Sequence, residues 1–310
     1  MKRVLALVNE KENINYKTIL AAHGIETVFL ESSDKEEIVN AAKGAEAMIF
    51  AATVFDDDLF SRLPHLKLIS RRGIGIDTVD IDAATRHGVR VCNCQSYGSR
   101  DVAQHTVALL LSLIHRIPRY NSRMSNNQGY SDVPMAWRLG EKTVGIIGYG
   151  RISKAVARVL TAFDAEVLVY DPFVTEAKGV RQVDLDELLK SSDIISLNAP
   201  LTHSTRHMIN RDTISRMKIG AMLVNTSRGA LVDEEALIEA LETGRLSGAA
   251  LDVFENEPLD SSSRLLTLDN VVLTPHVAWR SVEAVRDLDV EVTGNVIDFF
   301  EGRPLRNALN

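Results

Sequence analysis

Short apolar runs separated by amphipathic stretches set the rhythm of the first hundred residues. "RVLALV", "ETVFLE", "AMIFAA", "LKLIS" and "VRVCN" read as strands, and "YKTILAAHG", "KEEIVNAAKG", "DDLFSRL" and "IDAATRHG" between them read as helices. Gly24, Gly44 and Gly88 each close a helical stretch, where the chain needs a left-handed residue to turn away. Repeated β/α units of this kind predict a parallel sheet with helices on both faces, a flavodoxin-like α/β domain. Next, "VAQHTVALLLSLIHRI" repeats apolar residues at 102, 106/107, 110, 113/114 and 117, a helical period that ends at Pro118 and suits a bridge between domains. Residues 120 to 140 are polar and irregular, consistent with a loop or with an arm exchanged in a dimer.

A second α/β series runs through "TVGIIG", "EVLVYD", "DIISLN", "AMLVNT", "SGAALDV" and "VVLTP", predicting a second Rossmann-like, doubly wound parallel sheet. After it, "SVEAVRDLDVEVTGNVIDFFEG" places apolar residues at 285, 288, 292, 296 and 299/300, a long amphipathic helix that must bury one face. Packing back onto the first series would make that domain discontinuous. The expected organisation is therefore a first domain of residues 1–98 plus 284–310 and a second domain of residues 99–283.

Composition narrows the function class. The chain has 310 residues, 45% hydrophobic and 25% charged, enough for two domains of ordinary size. A net charge of −7 lacks the basic footprint that nucleic acid or an anionic membrane surface requires. Small-molecule chemistry is the expectation, without nucleic-acid or membrane partners. Apolar runs such as "VALLL" fall far short of the roughly 20 residues that span a bilayer. The start, "MKRVLALVNEKEN", turns polar at once and reads as a first strand, so a cytoplasmic protein is expected. Cys92 and Cys94 alternate onto one face of a strand with no further ligands near, which predicts reduced structural thiols and no metal site.

The chemistry gathers at predicted strand ends. "GIIGYGRIS" carries Gly148 and Gly150 of a G-x-G-x-x-G/A fingerprint, with Ser153 at the third position. Gly148 permits the tight turn and Gly150 lets a pyrophosphate approach the N-terminus of the helix beginning near 151. The third glycine serves helix packing, so Ser153 costs packing and removes no phosphate donor. Arg151, a cation in a helix's first turn, opposes the dipole unless an anion lies there. Asp171 ends the next strand, 21 residues beyond Gly150, where a carboxylate can accept from the ribose hydroxyls and repel a 2′-phosphate, favouring NAD(H). Other strand ends deliver Ala199 and Pro200, then Thr226 and Arg228, then Asp252, then His276.

"NTSRGALVDEEAL", "ALDVFENEP" and "TPHVAW", in that order after "GYGRIS", resemble the D-isomer-specific 2-hydroxyacid dehydrogenases. The resemblance runs over nearly the whole chain, through "RRGIGIDTVDIDAA", "VAQHTVALLLSL" and "LLKSSDIISLNAPLTHSTRHMIN". It implies a usually dimeric enzyme using NAD or NADP, with Arg228, Glu257 and His276 as the catalytic Arg, Glu and His. It further implies that Ile152, Ala199, Pro200, Thr226, Asp252 and His276 border the cofactor, Asp252 near the nicotinamide carboxamide. Arg71, Ile74, Gly75 and Arg228 would meet the substrate.

The chemistry supports those roles. Oxidising a 2-hydroxy acid removes a hydride from C2 and a proton from the hydroxyl, and imidazole is the natural proton acceptor near neutral pH. Glu257 would orient the ring and favour its protonated form, and the forked guanidinium of Arg228 suits a carboxylate. Backbone N–H groups at Ile74 and Gly75 could hold the other face of that carboxylate.

Several positions depart from the pattern. Gln104 stands where the family more usually has Glu and is assigned a structural, interdomain role; His23, His65, His87, His115, His203 and His207 are assigned structural roles. Thr78 replaces a common Asn. Arg71 matches phosphoglycerate-type members, whereas Trp279 resembles hydroxypyruvate and glyoxylate reductases, so the substrate stays open between the two. The chain stops at "GRPLRNALN", and no regulatory C-terminal domain is expected. The rival role is that of NADH-responsive corepressors of the same fold, which can keep the Arg, Glu and His.

Overall fold

The computed structural model describes residues Lys2–Asn310, which divide into two compact units. The first holds the chain up to Gly98 together with Ser281–Asn310; the second is Ser99–Arg280.

In unit 1 the elements are β1 (Lys2–Leu7), α1 (Ile14–Ala21), β2 (Ile25–Phe29), α2 (Lys35–Ala41), β3 (Ala47–Phe50), α3 (Asp57–Ser61), β4 (Leu68–Arg71), α4 (Ile81–Arg86) and β5 (Arg90–Cys92). All strand pairs are parallel, in the order β2-β1-β3-β4-β5, which is the flavodoxin-like winding. Asp34, Asp56 and Asp80 each cap the following helix by accepting a backbone N–H three residues on. Gly24, Gly44 and Gly88 adopt φ of 69°, 81° and 71°, the left-handed helix exits their positions predict.

Unit 2 begins with α5 (Ser99–Ile114) and α6 (Ile117–Ser125) and continues β6 (Thr143–Ile147), α7 (Arg151–Ala162), β7 (Glu166–Tyr170), β8 (Arg181–Gln182), α8 (Leu185–Ser191), β9 (Ile194–Leu197), α9 (Arg211–Arg216), β10 (Ala221–Asn225), α10 (Glu234–Glu242), β11 (Leu246–Leu251) and β12 (Val271–Leu273). The sheet runs β12-β11-β10-β9-β6-β7-β8 and is parallel throughout, the Rossmann order with one added edge strand. Successive side chains alternate between two cores: Ile195, Leu197, Leu223 and Leu251 enter one, and Ile194, Val144, Ile146 and Val224 the other.

The final helix, α11 (Val282–Phe300), belongs to unit 1, where it packs on β4 and α1. Leu288, Val292 and Val296 are fully buried along it, each stabilising the fold by about 1.5–3 kcal/mol. The units meet in sequence at Ser281 rather than at residue 284, because the Ser281 hydroxyl caps α11 by accepting from Ala284 N–H at 2.9 Å.

One expectation needs correction. Pro118 does not end the helical region; it sits in the first turn of α6, after Arg116 reverses the chain at φ 58°. A proline's missing N–H costs nothing in a helix's first turn, so Pro118 opens α6, and α5 has already ended at Ile114 ahead of the left-handed Arg116. The irregular stretch is consequently shorter than residues 120 to 140. Cys92 and Cys94 are both buried and free, and burial pushes both thiols up, Cys92 to about 11.

Candidate active site

The glycine turn between β6 and α7 forms an open cradle. Gly148 has φ 88°, and a Cβ there would come within 2.8 Å of Ala199 N and the Asn198 carbonyl. Neighbouring β9 therefore runs too close for any other residue. Gly150 is the N-cap of α7; a Cβ on it would meet nothing within 4 Å, and no side chain caps the helix. The positive N-terminus of α7 thus carries no side-chain cap among the described residues and begins at an unencumbered glycine, a fit for a dinucleotide's pyrophosphate. Arg151 opens the helix and Ile152 packs against the core beneath.

Asp171 follows β7 and accepts from Tyr149 N–H at 2.7 Å and Phe173 N–H at 2.9 Å, one bond on each oxygen. Each oxygen keeps a lone pair for a ribose hydroxyl. The acid therefore also shapes the glycine turn itself. Ser153 is 1% exposed and its hydroxyl has no partner among the described residues. Removing that orphan should gain roughly 1 kcal/mol, which glycine would give back in helix propensity. Ser153→Ala is expected to raise the melting temperature, and Ser153→Gly to leave NADH affinity within about twofold. A large affinity gain in Ser153→Gly, measured by fluorescence titration, would contradict this packing role.

Three further strand ends converge within unit 2. After β10, Asn225 is buried and ties the turn through its side chain, donating to the Arg228 carbonyl at 2.8 Å and accepting from Ser227 N–H at 3.0 Å. Ser227 donates its hydroxyl to the Leu197 carbonyl at 2.9 Å. Gly229 lies against the chain after β11 so tightly that a Cβ would fall inside the Phe254 and Glu255 backbone. That contact brings Arg228 and the segment bearing Glu257 together.

Glu257 accepts from Phe254 N–H at 3.0 Å through Oε1, and its Oε2 lies 2.6 Å from His276 Nδ1. Burial pushes this carboxyl up, but the His276 bond, the Phe254 N–H and the charges of His276 and Arg228 outweigh it and hold Glu257 below the ordinary carboxylate range. Its stabilising effect is therefore complete above the unfolded pKa and is lost as pH falls through the lower folded value. An ionised carboxylate only accepts, so the proton of the neutral imidazole sits on Nδ1 and Nε2 is left as the reactive nitrogen. His276 itself holds φ 54°, with its N–H 2.8 Å from the Asp252 carbonyl.

Asp252, at the end of β11, is fully buried. Its carboxylate accepts from Thr274 Oγ1 at 2.5 Å, Val277 N–H at 2.9 Å and Ala278 N–H at 2.9 Å. The geometry gives this acid a loop-holding part that its expected place near the carboxamide did not include. Ala199 and Thr226 are nearly buried at their strand ends, Pro200 is exposed, and the Thr226 hydroxyl lies 2.7 Å from that of Thr106 on α5.

In unit 1, Arg71 closes β4 and its guanidinium lies where a Cβ on Gly73 would stand. Asn93 donates to the Ile74 carbonyl at 2.7 Å, holding the loop that carries Ile74 and Gly75. Thr78 Oγ1 is buried without a partner among the described residues, while the Thr78 carbonyl accepts from Phe55 N–H at 2.8 Å. Sequence reasoning missed Gly229, which packs the two turns together, and His105, whose Nε2 lies 3.0 Å from Thr274 Oγ1. Glycine directly after an arginine at a strand end was the available signal for the first; nothing local marked the second.

Comparison with known proteins agrees with this architecture. Residues 107–278, more than half of the chain, match the family described as D-isomer specific 2-hydroxyacid dehydrogenase, NAD binding domain. The chain is 36% identical over 309 residues to a D-3-phosphoglycerate dehydrogenase of Bacillus subtilis, covering 98% of this chain and 58% of that protein. It is 38% identical over 270 residues to a hydroxypyruvate reductase of Thermotoga maritima, covering 86% of this chain and 88% of the relative. The crystal structure of a D-lactate dehydrogenase from Aquifex aeolicus, complexed with NAD and lactic acid, superposes with a TM-score of 0.89 at 33% identity, covering 99% of each chain. The chain spans only 50% to 59% of the length of the phosphoglycerate dehydrogenases among these relatives. With two parallel α/β sheets, an open glycine cradle and this match, the chain belongs to the D-isomer specific 2-hydroxyacid dehydrogenase family.

Proposed function

We propose that this protein transfers a hydride between NAD(H) and C2 of a small D-2-hydroxy acid or 2-keto acid. The observation that carries the reading is the His276 Nδ1 to Glu257 Oε2 contact of 2.6 Å, which leaves Nε2 as the proton-transferring atom. Bound NAD supplies the hydride acceptor at its nicotinamide ring, and NADH the donor. In reduction, protonated His276 gives its Nε2 proton to the keto oxygen; in oxidation, the same nitrogen takes the hydroxyl proton. Arg228 binds the carboxylate and faces the charge that builds on the reacting oxygen. Gly148, Gly150, Arg151 and Ile152 seat the pyrophosphate, and Asp171 takes the ribose hydroxyls, favouring NAD(H) over NADP(H). Ala199, Pro200 and Thr226 wall the cofactor, while Asp252 supports it through the loop it holds.

Within unit 1, the loop of Arg71, Ile74 and Gly75 is assigned to substrate binding. Supporting this, neither the Ile74 nor the Gly75 N–H finds a backbone acceptor among the described residues. A substrate with a second anionic group would engage Arg71; one without it would be glyoxylate or hydroxypyruvate.

NADH oxidation measured with glyoxylate, hydroxypyruvate and 3-phosphohydroxypyruvate tests the reading. Turnover on at least one, with a marked preference for NADH over NADPH, is expected. Tight NADH binding without turnover on any 2-keto acid would favour the corepressor-like alternative. Glu257→Gln should lower reductive turnover on the order of 100-fold, because the ring then loses the ionised partner that holds its Nδ1 proton. Near-normal turnover would remove Glu257 from this role.

The protein is also assigned a homodimer through unit 2. Helix α6 buries none of its residues, and Ile117, Met124, Tyr130 and Met135 are 53%, 73%, 83% and 87% exposed on the segment it begins. A monomeric mass by light scattering at micromolar concentration would overturn that assignment.

A further inference from the structure

Of the 8 histidines, one besides His276 faces the loop that carries His276. His105, on α5, places Nε2 3.0 Å from Thr274 Oγ1 and 3.6 Å from Asp252 Oδ1. Thr274 Oγ1 is itself 2.5 Å from Asp252 Oδ1. An ionised carboxylate can only accept, so Thr274 must spend its single proton on Asp252. The threonine oxygen then has lone pairs alone to offer His105, and His105 must donate from Nε2. This tautomer is opposite to that of His276, where Glu257 draws the proton to Nδ1.

The chain of contacts continues into the loop. Asp252 accepts the Val277 and Ala278 N–H groups on its two oxygens and the His276 N–H on its carbonyl. His276 sits at φ 54°, a left-handed conformation that strains a side-chain-bearing residue. Such a conformation persists only where its surroundings over-determine it. The neighbouring residue on α5, Thr106, meets Thr226 at 2.7 Å, so consecutive residues of one helix brace two strand ends of the site.

We propose that His105 is a positioning residue for His276, acting through Thr274 and Asp252 to keep the 274–278 loop in the geometry that puts His276 Nδ1 on Glu257. The proposal rests on reading His276 as the proton-transferring group. His105 touches neither reacting atoms nor that ring; its effect is the set of the loop.

The test joins kinetics to a readout independent of turnover. His105→Ala should lower kcat with the best 2-keto acid of the panel about tenfold or more, since misplacement by an ångström is worth up to roughly 100-fold, and leave KM for NADH within about twofold. His105→Gln, whose amide N–H reaches a similar point, should recover most of the loss. Thr274→Val should resemble His105→Ala, and the double variant should be no worse than the poorer single, because both break one chain. In proton NMR of the unliganded protein, the low-field signal of the His276 Nδ1 proton, assigned by its loss in Glu257→Ala, should shift or broaden in His105→Ala and return in His105→Gln. Additive losses, an unchanged kcat or an unmoved low-field proton in His105→Ala would overturn the proposal. If His276→Ala keeps its turnover while the proton signal responds as expected, the reading of His276 has failed and the positioning contact has not.

Discussion

His276→Ala should lose about 100- to 10,000-fold in kcat for both reduction and oxidation while binding NADH nearly as tightly as the parent protein. The size of the loss follows from the proposed role of Nε2 as the proton-transferring atom, with Glu257 on the other side of the ring held ionised below the ordinary carboxylate range. The survival of NADH binding follows from separation along the chain. The pyrophosphate cradle is built from Gly148, Gly150 and the open end of α7, none of which the imidazole supports. Stopped-flow turnover and a fluorescence titration on the same preparation check both halves. Near-normal turnover would end the acid/base assignment, and a parallel collapse of NADH affinity would mean that the ring holds the cofactor site together.

Gly229→Ala is expected to be nearly as damaging with no chemical group removed. Its added methyl would occupy the backbone of Phe254 and Glu255, so the strand-end turns after β10 and β11 must separate. Arg228 is fixed to one turn and Glu257 to the other, and the attraction between them contributes to the depressed carboxyl. Forcing them apart by an ångström should cost about 100-fold in turnover, with overpacking costing about 1–3 kcal/mol of stability. Turnover and thermal melts of the purified variant read the two effects. Full activity would mean that the contact between the turns does not set the Arg228 to Glu257 geometry.

Much of this molecule was legible in its hydrophobic pattern. Strands buried on both faces need continuous apolar runs, and β1, β3, β6, β9 and β10 carry them; the left-handed helix exits at Gly24, Gly44 and Gly88 follow from the same local rule. Pro118 was ambiguous because a proline that closes one helix can also open another. Ser153 looked like a broken fingerprint, yet its buried, unpartnered hydroxyl lies on the packing side of α7, away from the phosphate cradle.

The sequence by itself determined the two α/β series, the strand-end positions of Asp171, Arg228, Asp252 and His276, and the family to which they point, because periodicity and turn chemistry are local properties. The tertiary structure alone decided which of those side chains meet. The 2.6 Å pairing of His276 with Glu257, the Gly229 contact that sets Arg228 beside it, and the path from His105 through Thr274 to Asp252 join residues distant in the chain. Those contacts depend on the register of neighbouring strands and the seating of α5 against their ends, and no local pattern encodes either.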